Sequence, residues 1–158
     1  MAEQQLSVTR EINAPAEQVW AMVSDVTRMG EWSPETEGAT WLGGATSAAP
    51  GVKFRGTNRN GKKKWDTVAK IVAAERGRVL AFRVAAGPLK VAEWRYAFEP
   101  TANGCQVTET WIDQRGVVVK TLGKMLTGVD DRAEHNRSGM EQTLERLKSA
   151  AEAAPAAT

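Results

Sequence analysis

One cysteine, one histidine and one tyrosine stand in a chain of 158 residues, and the first two scarcities each remove a class of mechanism. Cys105 alone excludes an intramolecular disulfide framework and suits a reducing compartment. His135 alone, without CxxC or HxxxE-like spacing, supplies no ligand set for a transition metal, and no cofactor is expected. Neither the phosphate loop GxxxxGK followed by Ser or Thr nor GxGxxG occurs, and Gly43-Gly44 and Gly51 lack a strand-to-helix setting. No apolar run approaches the roughly 20 residues that cross a bilayer. The opening MAEQQLSVTR has neither the basic nor the apolar region of a secretory leader, so a cytoplasmic location is expected. The excess of one charge sign is small as well: a net +2 gives no reason to expect a nucleic-acid partner. The one dense basic stretch, FRGTNRNGKKKW, reads as a solvated hairpin tip, with contact to phosphate, anionic lipid or another protein as the alternative.

What is present is periodicity. LSVTREIN alternates Leu6, Val8 and Ile12 against polar residues, a half-buried strand in which Arg10 falls on the apolar side. NAPAEQVWAMVSDV follows as a short amphipathic helix, with Asn13 able to cap and Pro15 suited to a first turn, and another helical turn is expected at Thr27 to Gly30. Six strands are then expected at Thr36 to Leu42, Val52 to Asn58, Trp65 to Val72, Val79 to Ala85, Ala92 to Glu99 and Gln106 to Asp113. Their short turns, Asn60-Gly61 the clearest, describe an antiparallel meander. Leu122, Leu126, Val129, Asn136, Met140, Leu144 and Leu147 recur at steps of three and four, and predict one long amphipathic C-terminal helix. The chain reads as a single domain over residues 1–150, with residues 151–158 a disordered tail.

A twisted sheet with one apolar face must be covered, and the long helix is the element available. The space between them is a natural ligand cavity. Several residues then carry a resemblance. Ile12 to Trp20, INAPAEQVW, looks like the strand-to-helix junction of the START-like, or SRPBCC, superfamily. Trp32-Ser33-Pro34, the run from Gly51 to Gly61, Trp65 with Thr67, Trp94-Arg95-Tyr96 and Glu134-His135-Asn136 with Thr143-Leu144 are similar to its polyketide cyclase/dehydrase branch, found in many small actinobacterial proteins. The resemblance covers about Leu6 to Lys148 and implies an α+β helix-grip fold. In that fold a seven-stranded antiparallel sheet wraps a long C-terminal helix around a hydrophobic cavity, with two short helices after strand 1.

Two groups of residues are candidates for that cavity. Glu109 lies between Val107 and Trp111 on one strand face, with Asp113 beyond. A carboxyl whose pKa is raised by an apolar wall can act as general acid or base, with Tyr96 or Asn136 as the other catalytic candidates. The simpler alternative is a structural pair between arginine and carboxylate, or a β-bulge that turns Glu109 to water. The second group is the expected ligand-binding wall: Arg10, Trp41, Phe54, Trp65, Phe82, Trp94, Tyr96, Trp111, Leu126, Val129, Asn136 and Met140. His135 falls on the helix flank and reads as a surface or interface histidine, with a catalytic base as the alternative. Binding of a small hydrophobic molecule (lipid, polyketide, sterol or quinone-like) is the leading expectation. A polyketide cyclase or dehydratase and a protein-interaction module are the alternatives, in a monomer or a homodimer. In GEWSPETEGATW, Trp32 is expected to wedge the short helices against the sheet and Trp41 to join the aromatic face, the polar residues between them forming a cavity rim.

Overall fold

The period-two runs form strands where expected. The computed structural model describes residues 4–154. Its elements are β1 (Gln5–Ile12), α1 (Ala16–Ser24), a 3₁₀ segment (Val26–Glu31), β2 (Thr36–Trp41), β3 (Lys53–Asn60), β4 (Lys63–Glu75), β5 (Val79–Ala86), β6 (Leu89–Thr101), β7 (Gly104–Asp113), α2 (Val117–Thr127) and α3 (Arg132–Ala153). The seven strands form one sheet in the order β1-β7-β6-β5-β4-β3-β2, antiparallel at every pairing. With α3 laid across one face, this is the α+β helix-grip architecture.

β1 and β2 are consecutive strands at opposite edges of the sheet. The chain between them must therefore cross from one edge to the other, and α1 does so with Val19, Met22 and Val23 buried. The 3₁₀ segment then packs onto β2 so closely that a Cβ on Gly30 would stand 2.5 Å from the Glu37 carbonyl oxygen. Only glycine fits that approach. Trp32 closes the crossing as expected: it is 3% exposed within the core, and the Arg28 guanidinium lies 4.9 Å over its ring. The α3 stripe of Met140, Leu144 and Leu147 is fully buried in the same core as Ile12, Val107 and Trp111. Among the described residues no helix is long and apolar enough to cross a membrane.

Three expectations need correction. The single long helix is two helices. Gly128 takes φ +71 after α2, the left-handed conformation that ends a helix, and the Asp131 side chain restarts α3 by accepting from the Glu134 N–H at 3.1 Å. The tail does not begin at 151, because α3 runs to Ala153 and Ala151 is 1% exposed against the core; residues 155–158 lie outside the described residues. Asn13 does not cap α1. Pro15 occupies the cap position, and the Asn13 N–H donates to Glu152 Oε2 at 3.0 Å, tying β1 to the end of α3.

Candidate functional site

The β6–β7 ladder sets the floor of the site. Trp94 stands opposite Trp111 and Tyr96 opposite Glu109, with no register shift along the pairing. Residues directly opposite share a face of the sheet, so the alternation that grouped Val107, Glu109, Trp111 and Asp113 points all four inward. Glu109 is 3% exposed. The Tyr96 hydroxyl donates to Glu109 Oε1 at 2.8 Å, while Glu109 Oε2 has no partner among the described residues. Burial pushes the Glu109 carboxyl up from the ordinary 4.5 to about 8, and the Tyr96 hydrogen bond pulls it back only in part. Burial and the facing carboxyl hold the Tyr96 phenol well above 10. In neutral solution the pair is therefore an uncharged acid beside an uncharged phenol.

Above this floor lies a cavity of about 330 Å³. Phe54, Trp65, Phe82, Trp94, Tyr96, Glu109 and Trp111 line it from the sheet, and Leu126, Asn136 and Met140 from the helices, as the sequence predicts. Phe54 and Phe82 meet edge to face with ring centroids 5.2 Å apart. The floor is buried, whereas Leu122 and Leu126 of α2 line the same cavity and are 45% and 61% exposed, so its α2 end reaches the surface.

Three expected wall residues are elsewhere. Trp41, on the edge strand β2, stands opposite Phe54 on the same face and packs edge-on against its ring at 5.9 Å, beside the cavity and outside its lining. Arg10 is on the inward side of the other edge strand, β1, and its long side chain reaches out to Glu145 of α3 at 2.9 Å. It pairs with neither Glu109 nor Asp113. Val129 falls in the break between α2 and α3 and lines a separate polar depression with Asp113 and Lys124. Asp113 is instead gripped by Arg115, Nε to Oδ1 and Nη2 to Oδ2 both at 2.9 Å. Burial pushes the Asp113 carboxyl up, but those bonds outweigh it and hold the group below its usual range.

Sequence reasoning missed a polar cluster on the cavity wall. Glu35, just before β2, accepts from Arg132 Nη1 at 2.9 and 3.0 Å, and its Oε2 lies 2.8 Å from His135 Nε2. All three residues line the cavity, so His135 is a rim residue and not merely a surface one. The spacing of Arg132 and His135 along one helix face is visible in the sequence, but their partner is not: Glu35 is 100 positions from His135. The basic hairpin tip is also docked. Asn60 Nδ2 donates to the Thr127 carbonyl at 2.7 Å and Lys63 Nζ to the Met125 carbonyl at 2.9 Å, at the C-terminal end of α2 where a helix attracts positive charge. Lys64 pairs with Glu37 at 3.3 Å.

This fold has counterparts. Residues 3–152 match the profile of a family described as polyketide cyclase / dehydrase and lipid transport. The chain belongs to that family. The solution structure of the Polyketide_cyc-like protein Cgl2372 from Corynebacterium glutamicum is 29% identical, with 92% of this chain and 90% of that one covered at a TM-score of 0.63. Protein CV1439 from Chromobacterium violaceum shares the fold at 13% identity, covering 95% and 99% at a TM-score of 0.70. So does the di-domain ARO/CYC StfQ of the steffimycin biosynthetic pathway, at 14% identity and a TM-score of 0.72; 96% of this chain spans 51% of that protein. No curated protein sequence matches the chain. Membership fits a ligand-binding or cyclase role.

Proposed function

We propose that the protein binds a small hydrophobic molecule, lipid, polyketide, sterol or quinone-like, between the sheet and the two C-terminal helices. The observation that carries this reading is the aromatic wall: Phe54, Trp65, Phe82, Trp94 and Trp111 enclose a cavity of about 330 Å³ with one polar pair at its floor. Flat or flexible apolar ligands gain most from such a wall, and a few convergent polar groups fix their orientation. The test is to extract the purified protein with organic solvent and identify the released compound by mass spectrometry. Reproducible recovery of one apolar compound supports the reading. Recovering none, with tryptophan fluorescence unchanged across a panel of lipids and polyketides, counts against it.

One observation favours a second reading. A protonated Glu109 steadied by Tyr96 can donate to a ligand carbonyl and polarise it, the acid half of a cyclisation or dehydration. StfQ, of the same fold, is an ARO/CYC. Under this reading Glu109→Gln lowers cyclised product from a polyketone substrate by about a hundredfold or more; unchanged product formation defeats it. The interaction-module alternative has less to draw on, because Lys63 and Lys64 are engaged within the chain.

A further inference from the structure

The next step rests on the ligand-binding reading and specifies the chemistry of the ligand. We propose that the cavity selects an uncharged apolar molecule bearing one hydrogen-bond-accepting carbonyl oxygen, placed against Glu109 Oε2, and that it discriminates against carboxylates of the same size.

Glu109 is the only acidic group among the buried wall residues, and its one hydrogen bond is to Tyr96. That bond assigns the two carboxyl oxygens. The neutral pair holds two O–H hydrogens and one bond between them, so one hydrogen is left over; with the phenol donating to Oε1, it is the carboxyl proton, on Oε2. No charge of either sign is among the influences acting on this carboxyl, which is held neutral by burial. Oε2 is thus a donor with no acceptor among the described residues. Buried donors without partners are rare in native proteins, and a ligand oxygen is the group that would satisfy this one.

The same arrangement excludes an anion. A carboxylate driven against Oε2 would bury its charge with no cation to meet it. The basic groups elsewhere on the cavity wall are already committed: Arg132 and His135 to Glu35, and Arg115 to Asp113. Asp66, the remaining charged residue on the wall, is exposed and acidic. A ketone or quinone carbonyl meets the donor without bringing charge.

Three probes of one size separate the possibilities: 2-acetylnaphthalene, 2-naphthoate and 2-ethylnaphthalene, titrated calorimetrically into the full chain in neutral buffer. The ketone is expected to bind about tenfold or more tighter than the naphthoate. Glu109→Leu is expected to lower ketone affinity about tenfold while the hydrocarbon stays within about threefold. Glu109→Gln, which keeps a donor in place as an amide N–H, should hold the ketone within about threefold of the unaltered protein. Naphthoate binding as tightly as the ketone overturns the proposal, and so does a ketone-to-hydrocarbon ratio unmoved by Glu109→Leu; either result leaves the ligand-binding reading standing. Failure of the unaltered protein to bind any of the three overturns both. If Glu109→Leu does not fold, the ketone–naphthoate comparison and the Glu109→Gln variant decide the matter.

Discussion

Tyr96 and Glu109 face each other across β6 and β7 with their oxygens 2.8 Å apart, and the described residues offer neither side chain another hydrogen bond. The register of two strands thus builds a polar pair inside an aromatic wall, and its chemistry is set by burial.

That pair makes stability depend on pH. Glu109 titrates near 8 when folded and near its ordinary 4.5 when unfolded. Between those limits the folded state holds the extra proton, so the stabilising contribution is complete below about 4.5 and is lost as pH rises through about 8. The groups around it are Tyr96 on β6, whose phenol stays neutral over this range, and the paired Glu35, Arg132, His135 and Arg115 with exposed Asp66 elsewhere on the wall. Urea unfolding followed from about pH 5 to about pH 9 should show a decline on the order of 4 kcal/mol that Glu109→Gln lacks. Parallel curves for the two proteins would refute the assignment.

Tyr96→Phe removes the only influence that lowers the Glu109 pKa. The carboxyl should titrate higher still in the variant, and stability should fall by about 1–2 kcal/mol. Carbon-detected NMR titration of the glutamate carboxyls reads the first effect and denaturant unfolding the second. A Glu109 midpoint that stays put or moves down contradicts the role given to the phenol.

Glu35→Gln keeps the shape of the side chain and removes the charge that holds Arg132. The Arg132 guanidinium, 14% exposed as a side chain, is then left without its carboxylate. A cost of about 1–2 kcal/mol is expected, with faster amide exchange concentrated in β2 and the turn before it. Exchange that rises evenly over the whole sheet would show that the cluster does not anchor this segment in particular.

Gly30→Ala places a methyl group 2.5 Å from a backbone carbonyl of β2. No side chain can swing aside to relieve it, so the 3₁₀ segment must lift from the sheet edge at a cost of about 1–3 kcal/mol. Gly38→Ala, on the same strand with no atom within 4 Å of its added Cβ, is the control and should be nearly neutral. Equal melting temperatures for the two variants would argue against a tight approach.

Much of this was readable in advance, and the failures share a cause. Alternation along a strand is a local property, so the sequence alone puts Tyr96, Glu109 and Trp111 on the inward face without knowledge of the pairing. Gly128 and Asp131 carry strong stop and start signals, yet the steps of three and four run across them because the turn between α2 and α3 adds no break in apolar spacing. Alternation likewise puts Arg10 on the inward side, but its length lets the guanidinium reach out to Glu145 at the edge beside β1. The cluster of Glu35, Arg132 and His135 could not be found locally, since only the finished topology brings the lead into β2 beside the start of α3.

The edge position of β1 also dictates an order of assembly. Ser7 and Thr110, hydrogen-bonded at 2.9 Å, are 103 positions apart, and among the described residues β7 is the sole strand beside β1. β3 through β7 close one short hairpin after another, whereas β1 must wait for the last of them. During synthesis β1 therefore emerges before the other strands of this sheet yet is the last of them to find its ladder, and a nascent chain stopped before Gly104 carries a complete β1 without its partner β7.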